Sequence, residues 1–150
     1  MLPATTRRVI DHTDADINEA IRRRTEMSIA EAIAAGPAGI DRRLAELDHE
    51  WDIERALEAN AASISLLGLA LGALGNRAFF VLPAVVAGFL LQHALQGWCP
   101  PVPVMRRLGV RTQTEIEQER YALKLLRGDF KDVATNVVSS QADVLAAVHR

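Results

Sequence analysis

An all-α fold is predicted by this sequence, built as a two-helix transmembrane hairpin with amphipathic cytoplasmic helices on both sides. Three observations predict it. From Ala59 to Asn76 no residue is charged, and from Ala78 to Met105 none is either, apart from any proton on His93, so Arg77 alone separates two apolar runs. The second run, Ala78 to Trp98, is about 20 residues, which at 1.5 Å per residue spans the ~30 Å of bilayer hydrocarbon. Charged residues crowd both flanks, where apolar side chains recur at helical spacing. Three segments follow: an N-terminal cytoplasmic arm over 1–58, the hairpin over 59–98, and a C-terminal cytoplasmic arm over 99–150.

Composition narrows the function classes. A formal charge of −2 gives no basic face of the kind a nucleic-acid binder needs, so no nucleic-acid partner is expected. The single cysteine, Cys99, leaves no internal disulfide and no multi-cysteine zinc site within one protomer. The stretch MLPATTRRVIDHTDAD lacks the apolar core and small-residue cleavage site of a signal peptide. Insertion is therefore expected to be directed by the mid-chain apolar pair.

Residues 1 to 13 show little periodicity and read as a tail. Thr13 or Asp14 is placed to cap a first helix running to Ala35, which Gly36-Pro37 ends. Its apolar residues (Ile17, Ile21, Met27, Ala30, Ile33) form a ragged stripe that Arg22-Arg23-Arg24 interrupts. A second helix starts after Gly39. Ile40, Leu44, Leu47 and Trp51 make one apolar face, opposite Arg42, Arg43, Glu46, Glu50 and Glu54. With no breaker before Ala59, that helix is expected to run on into the first apolar run, setting Trp51 at the headgroups.

The first run, Ala61 to Gly75, is diluted by Ser63, Ser65, Gly68 and Gly72, and alone it inserts marginally. Beside the stronger second run, across Gly75-Asn76-Arg77, it reads as one arm of a hairpin. The dilution is patterned. Ala61, Ser65, Gly68 and Gly72 share a face, and Ala84, Gly88, Gln92 and Gln96 line up at steps of four on the second helix. Such stripes let backbones approach closely, within the hairpin or in a homodimer of hairpins. Six arginines (42, 43, 55, 106, 107, 111) flank the terminal side against Arg77 at the turn, which places both termini in the cytoplasm. Trp51, Trp98, Arg106 and Arg107 are then the expected interface anchors.

Beyond the hairpin, the prolines of Cys99-Pro100-Pro101-Val102-Pro103 are expected to exclude a regular helix. Thr112-Gln113-Thr114-Glu115 has the spacing of a capping box and opens a helix to Arg127 with Ile116, Leu123 and Leu126 on one side. A last amphipathic helix is expected from Asp129 to Val148.

Little in the sequence carries chemistry, and an enzyme is not expected. Cys99 is the one candidate reactive thiol, since a nearby positive charge lowers a thiol pKa and Arg106 and Arg107 follow closely. His93 lies on an otherwise uncharged segment, where a neutral, hydrogen-bonded imidazole near the cytoplasmic end is the plainer reading. Asp48-His49-Glu50 reads as a solvated face and Asp11-His12-Thr13-Asp14 as a helix entry. No catalytic residue, cofactor or metal is expected.

Gly97-Trp98-Cys99-Pro100, followed by Met105-Arg106-Arg107-Leu108-Gly109-Val110-Arg111-Thr112, resembles the YgaP-like transmembrane domain family over about residues 60–112. The resemblance implies a two-helix hairpin, homodimerisation through it and a bacterial inner-membrane location. In one group of relatives the hairpin is fused to a rhodanese (sulfurtransferase) domain that holds the catalytic cysteine. Nothing here resembles that domain, so sulfur transfer is not carried over. The leading expectation is a non-enzymatic dimeric anchor or scaffold, with the lipid bilayer and a cytoplasmic protein as partners. Its alternatives are an accessory in sulfur or redox handling through Cys99, an oligomeric solute or ion pathway lined by Gln92, His93 and Gln96, and a soluble helical bundle with 61–98 as its core.

Overall fold

A computed structural model describes residues 3–131. The described residues contain helices and no strand: α1 (Ala15–Ala34), α2 (Gly36–His49), α3 (Ile53–Leu74), α4 (Val81–Gln96), α5 (Pro101–Arg107) and α6 (Gln113–Arg127). They fall into two compact units that do not follow the three consecutive segments. One takes the residues up to Arg23 together with Trp51–Glu115, and the other takes Arg24–Glu50 together with the residues from Ile116. The helix expected from Asp129 to Val148 lies mostly outside the described residues.

In the second unit, Ala32, Ile40, Leu44, Leu47, Ile116 and Leu123 form the core, with Ile29 against it. The spacing of four and three in α2 does put Ile40, Leu44 and Leu47 on one buried face. Helix α2 begins at Gly36, four residues before the expected start at Ile40, because Gly36 turns the chain with φ +73° and Pro37 fits the first turn. Of the ragged α1 stripe, Met27 and Ile33 are exposed, and so is Leu126 on α6. Glu119 is fully buried and accepts from Arg43 Nε at 2.8 Å and from the Ser28 hydroxyl at 2.6 Å. Arg120 donates to the Leu47 carbonyl at 3.0 Å and pairs with Asp48, so a cation closes the C-terminal end of α2.

The expected continuous helix from Gly39 into the apolar run is broken. Glu50 and Asp52 are extended, with ψ 129° and 169°. The Asp52 carboxylate accepts from the Arg55 N–H at 2.8 Å, and an acidic side chain does this from a non-helical N-cap position. Trp51 therefore falls in the link between helices, where it is exposed.

In the first unit α3 and α4 pack together as a helix pair. Its turn is closed by the Gly75 N–H on the Leu71 carbonyl at 2.9 Å and by Asn76 Oδ1, which accepts from the Ala78 N–H at 2.9 Å. A 3-10 turn over Arg77–Phe80 leads into α4, so the α-helix starts three residues later than expected. Gly97, at φ +77°, ends it and donates to the His93 carbonyl at 2.7 Å.

Among the described residues before Asp14 there is structure where a tail was expected: Val9 is a core residue and Ile10–His12 make a 3-10 turn. The run of prolines does not exclude a helix, since α5 starts at Pro101. The first N–H groups of a helix have no intrahelical partner, so Pro101 and Pro103 lose nothing there. Val9, Ile53, Leu57, Cys99 and Val102 form the core at the base of the hairpin, with Met105 and Val110 against it. The capping box forms as its spacing predicts: the Glu115 carboxylate accepts from the Thr112 N–H at 2.8 Å, and the Thr112 hydroxyl accepts from the Glu115 N–H at 3.3 Å.

Candidate functional site

One partly buried polar arrangement of the first unit lies where α3 begins and α4 ends. Glu54, in the first turn of α3, accepts from Arg8 Nη2 at 2.7 Å on one oxygen and meets His93 Nε2 at 2.8 Å on the other. His93 is buried in the last turn of α4 and turns to Glu54 of α3. With Nε2 as the donor to the carboxylate, the buried Nδ1 has no hydrogen-bond partner among the described residues. Gly97 brings Arg8 into place, since a Cβ at this glycine would stand 2.4 Å from the Arg8 carbonyl carbon and oxygen. Arg8 and Glu54 lie 46 residues apart and Glu54 and His93 39, so no local spacing announces either pair. The network neutralises charge where two apolar helices meet polar chain, and it presents no nucleophile.

Cys99 is 2% exposed, in the core formed with Val9, Ile53, Leu57 and Val102. Burial pushes its thiol up, and the nearby negative charge of Glu54 adds to that. The arginines expected to activate it are engaged elsewhere. Arg106 is 1% exposed and grips Glu115 through two nitrogens at 2.6 and 2.7 Å, with Asn18 Oδ1 at 2.9 Å. Arg107 points outward, 3.7 Å from Asp14. In the folded protein the Cys99 thiol is expected to react with a maleimide far more slowly than after denaturation. Equal rates in the two states would contradict its burial.

The expected packing stripes divide. On α3, Ala61, Gly68 and Gly72 are buried and Ser65 is half-buried. A Cβ at Gly68 would meet Pro83 and Leu82 at 2.9 and 3.0 Å, and one at Gly72 would meet the Phe80 ring at 2.7 Å. On α4, Ala84, Gly88 and Gln96 are exposed and Gln92 is half-buried, and a Cβ at Gly88 would meet nothing within 4 Å. The α4 face that meets α3 is instead the one carrying Leu82 and Pro83. Of the expected interface anchors, Arg106 is internal, Trp98 half-buried, and Trp51 and Arg107 exposed; the Arg55 guanidinium stacks 4.5 Å from the Trp51 ring centroid.

Among the described residues no group of three or more His, Cys, Asp or Glu side chains gathers to hold a metal. No family model, curated protein or solved structure matches the chain.

Proposed function

We propose that this chain is a non-enzymatic inner-membrane anchor, of the YgaP-like kind, that crosses the bilayer as a hairpin and works as a homodimeric scaffold for a cytoplasmic partner. One observation carries the membrane part. Two helices are long and apolar enough to cross a membrane, yet only 17% and 6% of their apolar windows are buried within the chain. Leu66, Leu67, Leu74, Val81, Val85, Leu91 and Leu95 all project outward. A soluble bundle would have to cover that surface, because exposed apolar patches of this extent mark a partner or a lipid phase.

The dimensions agree. From Ala59 to Leu74, α3 rises about 24 Å, and α4 with its leading 3-10 turn rises about 32 Å. The hairpin thus brackets the ~30 Å hydrocarbon layer. The arginine excess on the terminal side supports cytoplasmic termini; it acts during insertion, so the later burial of Arg106 does not weaken it. Burial of Cys99 argues against a sulfur or redox accessory, and the turning of His93 to Glu54 argues against a solute path lined by that imidazole.

Alkaline carbonate extraction tests the reading. The expressed protein is expected to stay in the membrane pellet and to require detergent. A folded helical species in the supernatant would overturn it.

A further inference from the structure

Helix α5 is amphipathic in an unexpected way. Val102 and Arg106 point inward, whereas Val104, Arg107 and Leu108 share the outer face at steps of three and four, with Val104 58% and Leu108 75% exposed. Two aliphatic side chains lie in the open beside an outward guanidinium that stands 3.7 Å from Asp14, a face that fits a phase apolar on one side and polar on the other.

The position of α5 along the hairpin says what that phase is. Only Gly97–Pro100 separates it from the end of α4, a link of at most about 18 Å when fully extended. Val102 packs in one core with Ile53 and Leu57 of α3. Leu57 lies about 6 Å along the α3 axis before Ala61, where the apolar run begins, and Ile53 about 12 Å before it. Leu57 therefore falls within the headgroup layer and Ile53 at its outer edge, since the polar layers add about 5–8 Å on each side of the hydrocarbon. The exposed Trp51, with Arg55 over its ring, stands at the same end of α3. Tryptophan and arginine are the usual residues of that layer.

We propose that the outer face of α5 is a lipid-binding surface that rests in the headgroup layer of an anionic bilayer. Val104 and Leu108 enter the acyl boundary, and Arg107 meets lipid phosphate. This rests on the reading of α3–α4 as a bilayer-spanning hairpin and adds a contact that neither span makes.

The test places an environment-sensitive fluorophore (NBD) on a single cysteine, in a Cys99→Ala background reconstituted into phosphatidylcholine–phosphatidylglycerol vesicles. Leu108→Cys reports on α5, and Leu67→Cys, on an exposed site of α3, reports on the hairpin. At Leu108→Cys the expected result is blue-shifted emission that a headgroup nitroxide quenches and aqueous iodide does not. At Leu67→Cys, quenching by a nitroxide deep on the acyl chain is expected. Iodide quenching at Leu108→Cys with deep quenching at Leu67→Cys overturns the α5 contact and leaves the hairpin standing. Protection of Leu108→Cys from both iodide and lipid nitroxides means a protein surface covers it, a second copy included, and also overturns the proposal. Loss of deep quenching at Leu67→Cys sinks the hairpin reading itself.

Discussion

Replacing Arg106 by methionine is expected to destabilise the first unit by about 3–5 kcal/mol, the range found when one member of a buried ion pair is removed. The effect is large because of what stays behind. Arg106 has almost no exposure, and its two terminal nitrogens hold Glu115, the Asn18 side chain and the Val110 carbonyl. Methionine fills the aliphatic space and leaves the Glu115 carboxylate, whose side chain is 14% exposed, without its counter-charge. The double variant Arg106→Met/Glu115→Gln is expected to recover part of the loss. Both variants also remove Arg106 Nε, which is buried with no hydrogen-bond partner among the described residues. Thermal unfolding in detergent, followed by far-ultraviolet circular dichroism, measures both; equal stability of the two variants would deny the coupling.

The same pair sets an acid dependence. Burial alone would raise the Glu115 carboxyl, but the Arg106 hydrogen bonds and the Thr112 N–H outweigh it and hold the group below its ordinary value of 4.5. A carboxyl lowered on folding contributes fully above the unfolded value and loses that contribution as pH falls through the folded value. The wild type is therefore expected to lose stability below about pH 4.5, and the double variant to lose less over the same interval.

The second large effect is expected at Gly97. A left-handed conformation costs a residue with a Cβ about 1–2 kcal/mol by itself. Here the Cβ would also stand 2.4 Å from the Arg8 backbone, which cannot swing aside as a flexible side chain would. Gly97→Ala is expected to cost more than about 2 kcal/mol and to detach the segment around Val9 from the hairpin base, as in other mutations that strain a special backbone position. Earlier proteolysis between Arg7 and Asp14, before loss of the main helical signal, is the specific readout. An unchanged cleavage pattern would mean that the Arg8 approach does not matter.

The two apolar helices α3 and α4 were legible because their signals are local or periodic. A long uncharged run, a turn of Gly75-Asn76, and glycines at steps of four need no knowledge of the rest of the chain. The capping box at Thr112 and Glu115 was legible for the same reason, since its partners are three residues apart. The break at Asp52 was missed because an acidic residue inside an amphipathic stretch reads equally as an exposed helix position or as a cap. The proline run was misread because proline breaks a helix interior but is accommodated in a first turn, and spacing alone does not locate the start of α5. Arg106 was misplaced for a different reason. Its partner Asn18 is distant in sequence, and an arginine beside an apolar run looks like an interface residue until the fold turns it inward onto a carboxylate, here that of Glu115.

The central claim is that α3 and α4 carry the turn at Asn76 across the bilayer while both arms stay on one side. Single cysteines at Asn76, Ala20 and Gln118, in a Cys99→Ala background, test it with a membrane-impermeant maleimide on intact cells. The account predicts that Asn76→Cys reacts from outside, and that Ala20→Cys and Gln118→Cys react only after permeabilisation. If Asn76→Cys reacts only together with the other two, the hairpin does not cross the membrane and the account is contradicted.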